Sequence, residues 1–594
     1  MTCGRSLGAR LLEDGRCEFR VWAPSHEHVE LHVVAPVDRR VAMEKTDGGY
    51  HEVVVDDCPE GTRYFFVVGE NERPDPASRS QPEGVHRASE VMGRDFEWHD
   101  PHWTGVALED YVLYELHVGT FTAHGTFDAI IPRLDELKDL GITAIELLPI
   151  GQFPGTRNWG YDGTYVGAAQ HSYGGARALK RLVDACHQRG LAILLDVVYN
   201  HLGPEGNYLA EFAPYFTDRY KTPWGLAVNF DGPYSDDVRW FFIHNALQWL
   251  DEFHIDGLRV DAVHAIVDHS AEPFLQDLTR AVHALGEARG RRVYAIAESD
   301  LNDPRVITPH EDYGLGFDSQ WSDDYHHSLH RILTGESDGY YEGFSGHPSD
   351  LARVLQTGYL YTGQHSPYRR RKYGALPKTS DGAQFVVSAQ NHDQVGNRMM
   401  GERLAALVCV EKVRIAAAAI VLSPFVPMLF MGEEYGELAP FQYFTSHGDP
   451  ELIEAVRKGR LEEFDDFTWE GEPPDPHDEQ TYVRSKLNWS LVNRDEHASI
   501  RRLYKLLLAL RRDTPALRRL DLRAVETHAD DERRLLLVRR ENVLIAFNFG
   551  EKAQCIDIPF ATAGWEALLD TGAKIEGTRL TLPPISFALW SAAS

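Results

Sequence analysis

At 594 residues the chain is too long for one hydrophobic core, so roughly two to four domains are expected. Its 43% hydrophobic and 11% aromatic content is that of a globular protein and excludes a disordered one. A formal net charge of −30 argues against a general nucleic-acid or membrane-surface binder and suits a protein with a neutral ligand.

Residues 1–105 lack helical periodicity. Short β-rich runs (CEFRVWAP, VELHVVAP, YHEVVV, TRYFFVV) are separated by glycine, proline and acidic residues, which predicts a small antiparallel sandwich. Arg73 to Val91 is polar and proline-bearing and predicts an ordered linker loop. From Tyr111 apolar strands alternate with amphipathic helices, the signature of βα units. Eight pairs can be counted, the one built on FDSQWSDD being the weakest, and eight close a (β/α)8 barrel over 106–516. The longest apolar stretch, Ile415 to Met431, contains Pro424 and Pro427 and reads as helix, turn and buried strand. Residues 517–594 return to short strand-like runs and predict a second β-domain. The fold class is therefore α/β, with a central barrel between two β-domains.

The six cysteines form no CxxC pair and predict reduced thiols. The N-terminus has no apolar signal-peptide core, so a cytoplasmic location is expected.

The chemistry sits in apolar runs that end on carboxylates. In DGLRVDAVH, Arg259 and Asp261 face the same side of a strand, so the cation favours an ionised Asp261, as a covalent nucleophile requires. An ordinary intra-strand ion pair would have the same pattern. AIAESD places Glu298 at the wet end of a dry strand, where its pKa can rise to suit a general acid. SAQNHD delivers His392 and Asp393, and DVVYNH delivers Asp196, Asn200 and His201. All four motifs fall at strand ends, where a barrel enzyme carries its site.

These four motifs, with the flanking NWGYDG and MLFMGEE, resemble the short conserved regions of the α-amylase superfamily of retaining glycosidases in order and approximate spacing. The resemblance implies Asp261 as nucleophile, Glu298 as general acid/base and Asp393 as transition-state stabiliser. It implies Tyr161, His201, Arg259 and His392 around the reacting sugar, with the two principal carboxyls ~5–5.5 Å apart. His264 would face the leaving-group sugar, or be a loop histidine with no ligand. Within the superfamily the chain is most similar to hydrolases that release trehalose from maltooligosyltrehalose, through segments such as YELHVGTF, DPASRSQPEGVH and HIDGLRVDAVHAI. One departure is Ser299, where asparagine is expected after the acid. The ligands implied are maltooligosyltrehalose and related α-glucans. A glucan branching enzyme, sharing the same layout, is the alternative. A carbohydrate-binding protein without catalysis is a third reading, disfavoured because all three acids are present.

Other signals carry less. His326 and His330 stand four apart on a predicted helix, a spacing that can bind zinc, but no third ligand accompanies them. Asn200 matches a calcium ligand of some α-amylases. No required metal or other cofactor is predicted. Tyr208, Phe212, Tyr215 and Trp224, in the long third loop, could stack on sugar faces, but most of them are expected to pack that loop onto the barrel.

Overall fold

The computed structural model describes residues 6–93, 95–463, 472–560 and 564–592. Eight parallel strands close a barrel. We number them β1 (Leu113–Leu116), β2 (Ala144–Leu147), β3 (Ala192–Val197), β4 (Gly257–Val260), β5 (Tyr294–Ala297), β6 (Ser319–Trp321), β7 (Phe385–Val387) and β8 (Val426–Phe430). β1 closes the ring against β8 through the Leu113–Met428 register. Apart from Tyr294, every strand residue is buried, because helices cover the outer face and side chains fill the inner one.

The sixth pair is present: β6 leads into a helix at Asp323–Thr334. The first helix departs from the predicted run. It is broken into Phe127–Ile130, a 3₁₀ turn at Ile131–Arg133 and Leu134–Leu140. Pro132 lies at the break, where it has no N–H to continue the hydrogen-bond ladder. Ile415 to Met431 divides into the end of a helix (Val410–Val421) and β8. Among the described residues no helix is long and apolar enough to cross a membrane.

The N-terminal region is a two-sheet antiparallel sandwich. One sheet runs Gly8–Leu11, Cys17–Trp22, Tyr50–Val55, Glu44–Thr46; the other is built on Arg39–Ala42, Val29–Ala35, Arg63–Val68, Asn71–Arg73. In Val29–Ala35, Val29, Leu31 and Val33 are buried while Glu30 and His32 are half-buried, the period of two expected for a one-sided core. The linker pins this sandwich to the barrel. Arg79 donates to the carbonyls of Leu7 and Ala9 and to Glu252, on the helix between β3 and β4.

The C-terminal domain has a five-stranded and a three-stranded sheet. Its strand Leu535–Arg540 is buried on both faces. Leu535 and Leu537 belong to the domain's own core, whereas Leu536 and Val538 join the core that includes the barrel. Cys17, Cys58, Cys186, Cys409 and Cys555 are free thiols, and Cys3 lies outside the described residues.

Candidate active site

Arg259, on β4, is the hub at the C-terminal end of the barrel. Its guanidinium is fully buried, and one terminal nitrogen donates to Asp196 Oδ2 at 2.7 Å and to Asp261 Oδ1 at 2.6 Å. The other terminal nitrogen stands 3.8 Å from Glu298 Oε2. The indole of Trp321, at the end of β6, lies under the cation at 4.3 Å. A buried cation in contact with three carboxyl groups is a strong local field, and it favours the ionised form of whichever acid it touches.

Glu298 follows β5. Burial raises its pKa; Arg259 works against that shift and Asp261 adds to it. Its Oε2 accepts the backbone N–H of Ala262 at 2.7 Å. Ala262 is not glycine, yet its backbone is left-handed, with φ 41° and ψ 51°. That conformation strains an L-residue, and such strain persists only where surrounding contacts impose it. Here the turn after Asp261 aims an amide at the neighbouring acid.

Asp393 is the second residue of a short helix (His392–Gly396) after β7, and 39% of its side chain is exposed. The preceding His392 is buried. Its Nδ1 is 2.6 Å from Glu115 Oε1, and its Nε2 is 2.7 Å from the Tyr161 hydroxyl and 3.4 Å from Asp393 Oδ1. Burial opposes a charge on the ring, but Asp393 and Glu115 outweigh it and raise its pKa to about 9. Tyr161 stacks on His392 with ring centroids 5.2 Å apart and donates to Asp196 Oδ2 at 2.6 Å. His201 reaches the Tyr161 carbonyl through Nε2 at 3.0 Å. Burial lowers its pKa.

The sequence-derived residues thus converge on one end of the barrel, with His264 near enough to Glu298 for its charge to act on that carboxyl. His264 is exposed in the turn after Ala262, with Nε2 3.9 Å from Asp300 Oδ1. Asp300 also accepts from Arg369, whose guanidinium lies over Tyr373. In the third loop, Phe212 and Tyr215 are buried and Tyr208 is partly buried, as packing residues should be. Trp224 differs. It is 48% exposed and stacks on His201 at 4.5 Å with 5° between the planes. It sits at the turn of a hairpin, Phe216–Thr222 with Gly225–Val228. A tryptophan amid FTDRYKTPWG is a signal that could have marked it.

Glu115, Trp321 and Asp323 were not singled out from the sequence. Asp323 follows β6, and burial, then Glu298, push its carboxyl well above the usual range. His326 and His330 are buried on that helix, and His330 is held by Glu336, which Arg398 also pairs. Among the described residues, one group brings three possible metal-ligand atoms within 4.8 Å of one another: Asp100, His187 and His254. It lies at the other end of the barrel, joined through His187 to Asp256, which precedes β4.

Comparison with known proteins follows the same layout. The alpha amylase catalytic domain matches residues 79–225, carbohydrate-binding module 48 (isoamylase N-terminal domain) matches 6–81, and a domain of unknown function, DUF3459, matches 521–589. A malto-oligosyltrehalose trehalohydrolase of Saccharolobus solfataricus is 48% identical, over 86% of this chain and 87% of its own length. One from a Rhizobium species is 42% identical over 97% and 98%. The chain belongs to the malto-oligosyltrehalose trehalohydrolase family. The crystal structure of a candidate alpha amylase from Salmonella typhimurium superposes with a TM-score of 0.91 at 35% identity, covering 99% of this chain and 100% of that one. The resemblance read from the motifs therefore extends over both flanking β-domains.

Proposed function

We propose that the protein hydrolyses the α-1,4-glucosidic bond next to the terminal trehalose of maltooligosyltrehalose, releasing trehalose and a shortened maltooligosaccharide. The observation that carries this reading is the near-full-length identity of 48% and 42% to trehalohydrolases. A glucan branching enzyme from Pseudoalteromonas atlantica is 28% identical, over only 63% of its own length.

In this mechanism Glu298 gives its proton to the glycosidic oxygen, and trehalose leaves. The Asp261 carboxylate attacks the anomeric carbon and forms a maltooligosyl-enzyme ester. Glu298, now ionised, takes a proton from water, the water oxygen attacks the same carbon, and the Asp261 ester bond breaks. The raised pKa of Glu298 supports the first step, since a general acid must carry its proton near neutral pH. The Arg259 contact supports an ionised nucleophile. Both carboxyl groups meet one guanidinium, in keeping with the short separation that retention needs. Asp393 would stabilise the oxocarbenium-like centre, with Tyr161, His201, Arg259 and His392 enclosing that sugar and His264 on the trehalose side.

The test is a product assay on maltotriosyltrehalose and on amylose. Trehalose and maltotriose from the first, with maltotriose initially the α-anomer by NMR, is the expected result. Intact maltotriosyltrehalose with new α-1,6 branches in amylose would establish a branching enzyme instead.

A further inference from the structure

Glu115 is an acid in the middle of a strand, LYEL, whose four residues are all buried. A carboxylate there costs several kcal/mol unless it is paired. It spends both oxygens on one residue: Oε1 meets His392 Nδ1 at 2.6 Å and Oε2 accepts the His392 backbone N–H at 2.9 Å. Glu115 and His392 are 277 residues apart in sequence, one on β1 and the other in the helix after β7, two strands separated only by β8 around the ring.

The proton count along this chain of contacts is constrained. Burial raises the Asp196 carboxyl to about 7 against the pull of Arg259, and above that pH its Oδ2 accepts both from Arg259 at 2.7 Å and from the Tyr161 hydroxyl at 2.6 Å, while Oδ1 is buried without a partner. The Tyr161 oxygen has then given away its only proton. It must accept from His392 Nε2, 2.7 Å away. Glu115 already accepts the His392 amide through Oε2, and as an acceptor through Oε1 as well it has Nδ1 donate to it. Both ring nitrogens carry hydrogen.

We propose that Glu115 is a positioning residue that clamps His392 and holds it as an imidazolium between Tyr161 and Asp393. The cation thereby stands 3.4 Å from Asp393 Oδ1 and favours the ionised carboxylate there. The groups facing His392 are Glu115 on β1, His117 just after it, Tyr161 after β2, Asp196 on β3, Arg259 on β4 and Asp393 beside it; burial holds His117 well below the ordinary histidine range, at about 4. Glu146, on β2, is buried, and burial followed by the charge of Glu115 pushes its carboxyl well above the usual range. Arg259 opposes the charge on His392; Glu115 and Asp393 favour it.

This rests on the retaining mechanism above, but its first test does not use activity. Protein labelled with ¹⁵N in histidine, with His392 assigned by His392→Asn, should show two protonated ring nitrogens from pH 5 to 8. A neutral ring in the wild type overturns the proposal even if trehalose is released. A cationic ring in a protein that releases no trehalose overturns the proposed function and leaves the proposal standing. In Glu115→Gln the His392 midpoint should fall by ~1–3 pH units, and the alkaline limb of the kcat profile should move down with it. At the wild-type optimum kcat should fall ~10- to 100-fold, with KM moving less. Loss of kcat with an unmoved pH profile would reduce Glu115 to a structural role. Should Glu115→Gln fail to fold, the wild-type measurement alone decides.

Discussion

The two ends of the barrel each hold a histidine between carboxylates, and they use it differently. At the N-terminal end His187 joins Asp100 at 2.7 Å and Asp256 at 2.9 Å. Asp100 also holds His254, and Asp256 accepts from the Trp103 indole and from the Ile193 amide. Trp103 stacks on His187 and Trp98 on His254, closing the cluster. At the C-terminal end His392 lies between Glu115 and Asp393, but there Asp393 is part-exposed, Asp196 keeps one buried oxygen without a partner and Ala262 is strained. A set of charges with its contacts filled serves to join elements. A set with contacts left open and backbone held off its minimum is ready for a substrate to complete it.

This contrast can be broken by experiment. The largest effect should come from Asp261→Asn: kcat on maltotriosyltrehalose falls more than ~10³-fold while the protein still folds, since Arg259 keeps its pairing with Asp196 when the Asp261 charge is lost. Residual activity near the wild-type rate would remove Asp261 from the mechanism. His187→Ala should do the reverse. It leaves Asp256 and Asp100 buried beside an empty site, at a cost of ~3–5 kcal/mol seen as a lower unfolding midpoint, while kcat/KM at room temperature holds. A loss of kcat/KM without destabilisation would mean that the two ends are coupled.

Ala262→Val should lower kcat ~10- to 100-fold, because a β-branched residue resists positive φ and swings the amide away from Glu298. Ala262→Gly keeps that φ accessible and should stay within a few-fold of wild type. Equal losses in both would separate the strain from the positioning. The smallest effect is a pH dependence at the N-terminal end. Burial disfavours the His187 charge, but Asp256 and Asp100 raise its pKa above the ordinary value near 6.5. The stability it contributes is full below that value and is lost as pH rises through the folded pKa. The stability gap between wild type and His187→Ala should therefore narrow above neutral pH.

Much of this was legible before folding. Apolar runs ending on Asp261, Glu298 and Asp393 announce strand ends, because a strand can be dry only until its last residue meets water. The eight units follow from the same alternation, including the short sixth strand. Pro132 shows the limit of a periodic pattern: the apolar spacing of AIIPRLDELKDLG suits one helix, but the missing N–H breaks it. Trp224 shows another limit, since nothing local to it specifies that His201 will lie under its ring.

Sequence by itself determined the barrel, its flanking β-domains, and which acids stand at the open end, because periodicity and burial act over a few neighbouring residues. Tertiary structure alone decided that Glu115 meets His392, that Tyr161 passes a proton contact to Asp196, and that Ala262 bends backwards to reach Glu298. These depend on ring closure, which sets strands far apart in the chain side by side, and on low-dielectric burial, which makes each unpaired charge costly enough to dictate its partner.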